Sequence, residues 1–151
     1  MADGSETLIY AEAIRGIERQ QSVIEGLRSR AGTLFGAASL ATAFLGGQVL
    51  TRNPDFTVST STAIVAFVVM FILVLSILWP WNFRFVLSAT ILLEDHRDKS
   101  PADLQAYLAE IWDRNYELNQ PGIARMNLIF RGACLALSIE IVAWLVSLGR
   151  G

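Results

Sequence analysis

The chain has 151 residues, 53% of them hydrophobic and 17% charged, and a formal net charge of −2. Soluble domains carry nearer 45–50% apolar and about 25% charged residues, so the composition is that of a membrane protein. A single lysine, Lys99, and a single cysteine, Cys134, exclude a broad basic surface for nucleic acid and an intrachain disulfide framework.

The N-terminus, MADGSETLIYAEAIRG, is acidic and lacks the basic and apolar regions of a cleaved signal. Met1 to Glu6 reads as frayed, with Ser5 or Thr7 as cap of the helix that follows. Tyr10, Ile14, Ile17, Gln21, Ile24 and Leu27 then recur at helical spacing, an amphipathic seam interrupted by Gln21. Its partner is either the later soluble helix or the same helix of another subunit, where a buried polar residue sets register. Residues 1–30 form a cytosolic amphipathic helix on this reading. No breaker separates it from Ala31, so one rod is expected to enter the membrane, with Arg28 and Arg30 at the headgroups.

Ala31–Thr51 carries no charge over 21 positions, enough to cross a bilayer core of about 30 Å. Gly32, Gly36, Ser39, Ala43 and Gly46 follow at steps of four, three, four and three, a face of small residues. Such a face admits close approach of another helix in lipid. It could also line a pore, with Thr33, Ser39, Thr42 and Gln48 as its polar groups. Arg52-Asn53-Pro54-Asp55 reads as a tight polar turn, and Phe56–Phe83 is again free of charge. Its centre, Ala63–Trp79, is apolar on every face and is expected to span the bilayer facing lipid. Thr57, Ser59, Thr60, Ser61 and Thr62 make one end polar, and Trp79 and Trp81 around Pro80 read as interfacial anchors beside a bend. Residues 31–83 thus read as a transmembrane hairpin.

Residues 84–122 read as a cytosolic helical region. A helical segment is expected over Asn82–Leu93, then a charged turn at Glu94–Lys99. Ser100-Pro101-Ala102-Asp103 is a helix start, with Ser as cap, Pro first and an acid in the first turn. Leu104, Tyr107, Leu108, Ile111 and Trp112 give this helix one apolar side for the N-terminal seam, and Asn119-Gln120-Pro121-Gly122 is expected to end it. Residues 123–151 read as a third membrane helix rather than as a buried helix of a soluble bundle, with Glu140 at mid-span. An acid there costs about 2.5–3.5 kcal/mol on insertion scales. It is either hydrogen-bonded at a helix contact or part of a ring of carboxylates that selects cations. Four arginines precede the first span, and Arg84, Arg97, Lys99, Arg114 and Arg125 follow the second, against Arg52 alone between them. That bias places the N-terminus in the cytoplasm.

The chain offers no catalytic constellation. His96 stands alone in a charged turn, and no metal-ligand spacing, phosphate loop or dinucleotide fingerprint occurs. Neither an enzyme nor a cofactor or metal site is expected. Arg131 reads as a snorkelling residue. Arg84, Arg97, Lys99, Arg114 and Arg125 would receive an anionic ligand only if the fold gathered them.

The layout resembles that of the SLATT superfamily, small two-membrane-helix effectors of bacterial nucleotide-signalling defence. The likeness lies in IRGIERQQSVIEGLRSR (Ile14–Arg30) running into AGTLFGAASLATAFLGG, then a short polar hairpin, a second apolar span and a helical tail. It covers about the first 120 residues and is architectural. It implies an oligomeric pore that breaches the inner membrane, controlled by a nucleotide or oligonucleotide from a partner nucleotidyltransferase or polymerase, and it supplies no catalytic residues. The third span is additional to the family's two.

The resulting expectation is an all-α integral membrane homo-oligomer, a tetramer being one stoichiometry considered. The first and third spans line its centre and the second faces lipid. Its competitors are a non-conducting membrane scaffold for a partner enzyme and a proton-coupled transporter subunit using Glu140. The lack of internal repeats weighs against the transporter.

Overall fold

The computed structural model describes residues 3–52, 57–85 and 100–150, and among these every regular element is helical. Helix α1 runs over Asp3–Ala41, a π-helical turn over Thr42–Gly46, α2 over Gly47–Arg52, α3 over Val58–Leu78 and α4 over Pro101–Gly149. Three helical stretches are long and apolar enough to cross a membrane: Thr7–Arg52, Val58–Leu78 and Pro101–Gly149. The third expected span is therefore present as a helix of sufficient length and apolarity.

The chain divides into two compact units. The first holds Met1–Glu25 with Trp81–Ala124, and the second Gly26–Pro80 with Arg125–Gly151. Each of α1 and α4 contributes one end to each unit.

In the first unit α1 and α4 lie side by side and run in the same direction. Thr7 bonds to Gln105, Gly16 faces the Tyr116 ring, and Gln20 bonds to Tyr116. Of the two partners considered for the N-terminal seam, the later helix is the one it meets within the chain. The residue that interrupts the seam differs from expectation: Gln20 is buried and Gln21 is exposed. The buried positions Ile17, Gln20, Ile24, Leu27 and Ala31 alternate steps of three and four, a heptad period of 3.5. Taking Gln21 follows an i+4 step where the packed face takes i+3. Helix α1 also begins at Asp3, ahead of the cap expected at Ser5 or Thr7.

The start of α4 is as its sequence predicts. The Asp103 amide donates to Ser100 Oγ at 3.2 Å, and Ser100 Oγ donates to the Asp103 carboxylate at 2.7 Å. Its end is not. The helix continues through Asn119–Gly122 to Gly149, with Pro121 inside it. Proline removes one i→i−4 bond and crowds the preceding turn. Side-chain bonding is concentrated there: Gln20 Nε2 donates to Tyr116 O at 2.8 Å, and Asn119 Nδ2 donates to Gln20 Oε1 at 3.3 Å. Asn119 Oδ1 also accepts from the Arg84 amide at 3.0 Å while Nδ2 donates to the Arg84 carbonyl at 3.3 Å. One buried amide therefore clasps the backbone of the segment after α3. Trp81–Phe85 is not helical, against the helix expected from Asn82. Its aromatic residues stack along one another instead, Trp81 on Phe83 and Phe83 on Phe85, with ring centroids 6.3 and 5.7 Å apart. The rest of that expected helix and the turn at 94–99 lie outside the described residues.

The second unit is a three-helix bundle. Helix α3 ends at Leu78 because Pro80 forces the preceding residue into extended backbone, and Trp79 has ψ 140° and stands 71% exposed. Phe35 of α1 packs on Phe67 and Phe71, and Gly132 of α4 admits Leu73 at close range. Val49, Ala63, Ala143 and Trp144 form a core cluster. Helix α3 is antiparallel to the other two, with Thr60 near Ser147 and Leu73 near Gly132.

Candidate functional site

Three features of the second unit concern function, and the first is a buried polar knot. Glu140 is 0% exposed. Thr42 Oγ1, in the π turn, donates a hydrogen bond to its Oε1, and its Oε2 has no partner. The carboxyl group faces the Trp144 side chain, whose indole nitrogen is likewise buried without a partner. A π turn inserts one residue into the helical repeat and so redirects side chains. Here it brings Thr42 onto Glu140 and turns Gly46 inward, where the Trp144 ring stands 3.2 Å from the position of a Cβ. Two donors of uncharged groups surround one acid, which suits a fastening contact between the first and last spans. The carboxyl lies inside the bundle of one chain, away from its outer faces.

The second feature is the face of small residues. Gly32, Gly36 and Ala43 are exposed, Ser39 is half-buried and Gly46 is buried. A Cβ added at Gly32 or Gly36 would meet nothing within 4 Å. The five residues therefore do not share one face. The first four follow the α-helical repeat, and the π turn rotates Gly46 away from them. The open face of this span is completed by Thr33, Ala37, Gly47 and Gln48, with Leu40, Phe44 and Leu50 as its bulky members. The other two spans differ. Helix α3 exposes Ile64, Val65, Val68, Val69, Ile72 and Leu75, and α4 exposes Leu135, Ile139, Val142, Leu145 and Val146. Those are the residues that lipid solvates well.

The third is a hydroxyl layer at one end of the bundle. Thr60 Oγ1 and Ser147 Oγ are 2.9 Å apart, and Ser59 Oγ donates to Ser147 Oγ at 3.2 Å. Thr57 caps α3, accepting from the Thr60 amide. The layer satisfies its own polar groups. The expected polar entrance is therefore in part an internal helix–helix contact, which no single-helix pattern distinguishes from a solvated end.

The described basic residues fall in both units. Arg84 and Arg114 belong to the first unit and Arg125 to the second, and all three are exposed. Arg97, Lys99 and His96 lie outside the described residues. Arg131 is exposed, as a snorkelling residue would be. Among the described residues no group of three or more histidine, cysteine, aspartate or glutamate side chains converges to hold a metal.

Compared with family models, with curated proteins and with solved structures, the chain matches none.

Proposed function

We propose that the second unit crosses the inner membrane as three helices and assembles with further copies through the open face of its first span, enclosing a conducting pore. The observation that carries this is the contrast between the spans. Two present large aliphatic side chains outward, and the first presents glycine, alanine, threonine and glutamine beside the bulkier Leu40, Phe44 and Leu50. Between helices in lipid there is no hydrophobic driving force, so small residues mark the face that approaches a neighbour. Exposed Thr33 and Gln48 offer hydrogen bonds to water along the same face. Glu140 is a fastener within each chain on this account, and Gln48 is the polar residue nearest the ion path. The cytoplasmic N-terminus follows from the excess of arginine before the first span and after the second.

The wider role rests on the resemblance to SLATT proteins: a pore-forming effector of antiphage defence, switched by a nucleotide or oligonucleotide signal from a partner enzyme. The chain's third span extends that pattern. Current across a planar bilayer containing the purified protein tests the reading. Discrete unitary steps, with and without candidate nucleotides, are the expected result. An inserted oligomer silent under every signal would leave the non-conducting scaffold. One observation favours that second reading: Leu40 and Phe44, 74% and 67% exposed, would fill the seam between copies with bulky apolar groups.

A further inference from the structure

The second unit carries six arginines in its sequence against two acids, Asp55 and Glu140. Glu140 is buried, and Asp55 lies between α2 and α3 in the sequence. Arg52 and Arg150 stand at the end of the unit where α2 and α4 finish. The other four gather at the opposite end. Thr42 on Glu140 sets the register of the first span against α4 at 98 residues. Carried along the two parallel helices, that register puts Arg28 and Arg30 level with Met126 and Leu128, and Arg131 level with Thr33. Arg28, Arg30, Arg125 and Arg131 therefore share a belt about 9 Å deep, at the helical rise of about 1.5 Å per residue. Helix α3 meets Gly132 with Leu73 and runs the opposite way, so its C-cap Trp79 reaches the same belt. Trp79 and Leu128 are 71% and 69% exposed, and Arg30 and Arg131 are exposed at their level. Arg28, Arg30 and Arg131 make no ion pair among the described residues, and Arg28 Nε is buried without a partner. Glu25, one turn before Arg28 on α1, accepts from Gln21 instead.

We infer that this belt binds the phosphate groups of anionic membrane phospholipids and selects them over zwitterionic ones. Arginine offers a planar fork of donors that matches phosphate oxygens. A zwitterionic lipid bears the same phosphate, but its own cation competes with the guanidinium. Each arginine near an anionic bilayer surface raises affinity about fivefold. The apolar neighbours decide between a lipid and a dissolved phosphate. Exposed Trp79, Leu78 and Leu128 suit the boundary between headgroup and acyl chain, and a soluble anion would leave them in water. The inference rests on the second unit crossing a membrane, and not on its conducting.

The test uses the full chain in nanodiscs of equal phosphatidylglycerol and phosphatidylcholine, and counts the lipids that stay bound when the protein is released for native mass spectrometry. Retained phosphatidylglycerol should exceed phosphatidylcholine by about tenfold. Arg30→Gln combined with Arg131→Gln should cut that preference at least about fivefold, and because both side chains are exposed the packing stays as it is. Arg52→Gln combined with Arg150→Gln removes the same charge from the opposite end and should leave the preference in place. Millimolar ATP, as the soluble phosphate probe, should not displace the bound lipid. Equal retention of the two lipids, a loss shared equally by the two double variants, or displacement by ATP overturns the inference. A chain missing from the nanodisc fraction overturns it together with the spanning reading beneath it, a failure visible before any lipid is counted.

Discussion

Thr42 and Glu140 meet inside the bundle because the π turn brings a hydroxyl of the first span onto a carboxyl of the last. This contact fixes the rotation of the first span, and with it which residues that span turns outward. Hydrogen bonds between membrane helices are worth about 0.6 kcal/mol on average and up to about 1.7 kcal/mol. Thr42→Val should cost that much or somewhat more, since it leaves a buried acid with no partner, and Thr42→Ser should recover most of the loss. Glu140→Gln keeps an acceptor for Thr42 and should leave ion selectivity unchanged. Reversible unfolding in mixed micelles reads the first pair, and reversal potentials read the last.

The buried amides of the first unit separate two adjacent glutamines. Gln20 is 4% exposed and bonded at both ends of its amide. Gln20→Ala should cost about 1–3 kcal/mol, and Gln21→Ala, on the exposed side, should stay within about 0.5 kcal/mol. Asn119→Leu should cost more than Gln20→Ala, because it also strips both backbone groups of Arg84 of their partner. Thermal unfolding ranks the three.

That pair shows how far the chain is legible as a sequence. The rod from the N-terminus into the first span, the Ser100-Pro101 helix start and three candidate spans are all carried by local signals: caps, proline and runs of apolar residues. The choice between Gln20 and Gln21 is not local, since one helical step separates them and only the packed partner decides. The passage of α4 through Pro121-Gly122 was hidden for a related reason. Tertiary hydrogen bonds from Gln20 and Asn119 surround a turn that helix propensity alone would break. The π turn has no sequence signature, so the departure of Gly46 from the small-residue face could not be read from its spacing.

Glycine positions give opposite signs. At Gly122 a Cβ would come within 2.8 Å of the Phe83 ring, which is stacked between Trp81 and Phe85. Gly122→Ala should therefore destabilise by about 1–3 kcal/mol through overpacking, outweighing a gain in helix propensity of about 1 kcal/mol. Gly26 meets nothing within 4 Å, and Gly26→Ala should realise that gain. Midpoints of chemical unfolding in the same micelles compare the two directly.

Assembly and folding of the second unit also separate by position. Gly36 is open and Gly46 is packed on Trp144. Gly36→Leu should leave the fold of each chain unaltered while reducing the oligomer, as counted by native mass spectrometry. Gly46→Leu should destabilise each chain, because the indole ring already occupies that space.

On the proposed function the open face of the first span lines a water-filled path. With Cys134→Ala as background the chain carries no other thiol, so single cysteines report access one position at a time. A charged, membrane-impermeant thiol reagent is applied during planar-bilayer recording to Gly36→Cys, Ala43→Cys and Gln48→Cys, and to Val65→Cys, Val68→Cys and Ile72→Cys on α3. Stepwise loss of current is expected at the first three positions and none at the second three. Modification confined to the α3 positions, or current indifferent to reagent at all three first-span positions, would rule this out.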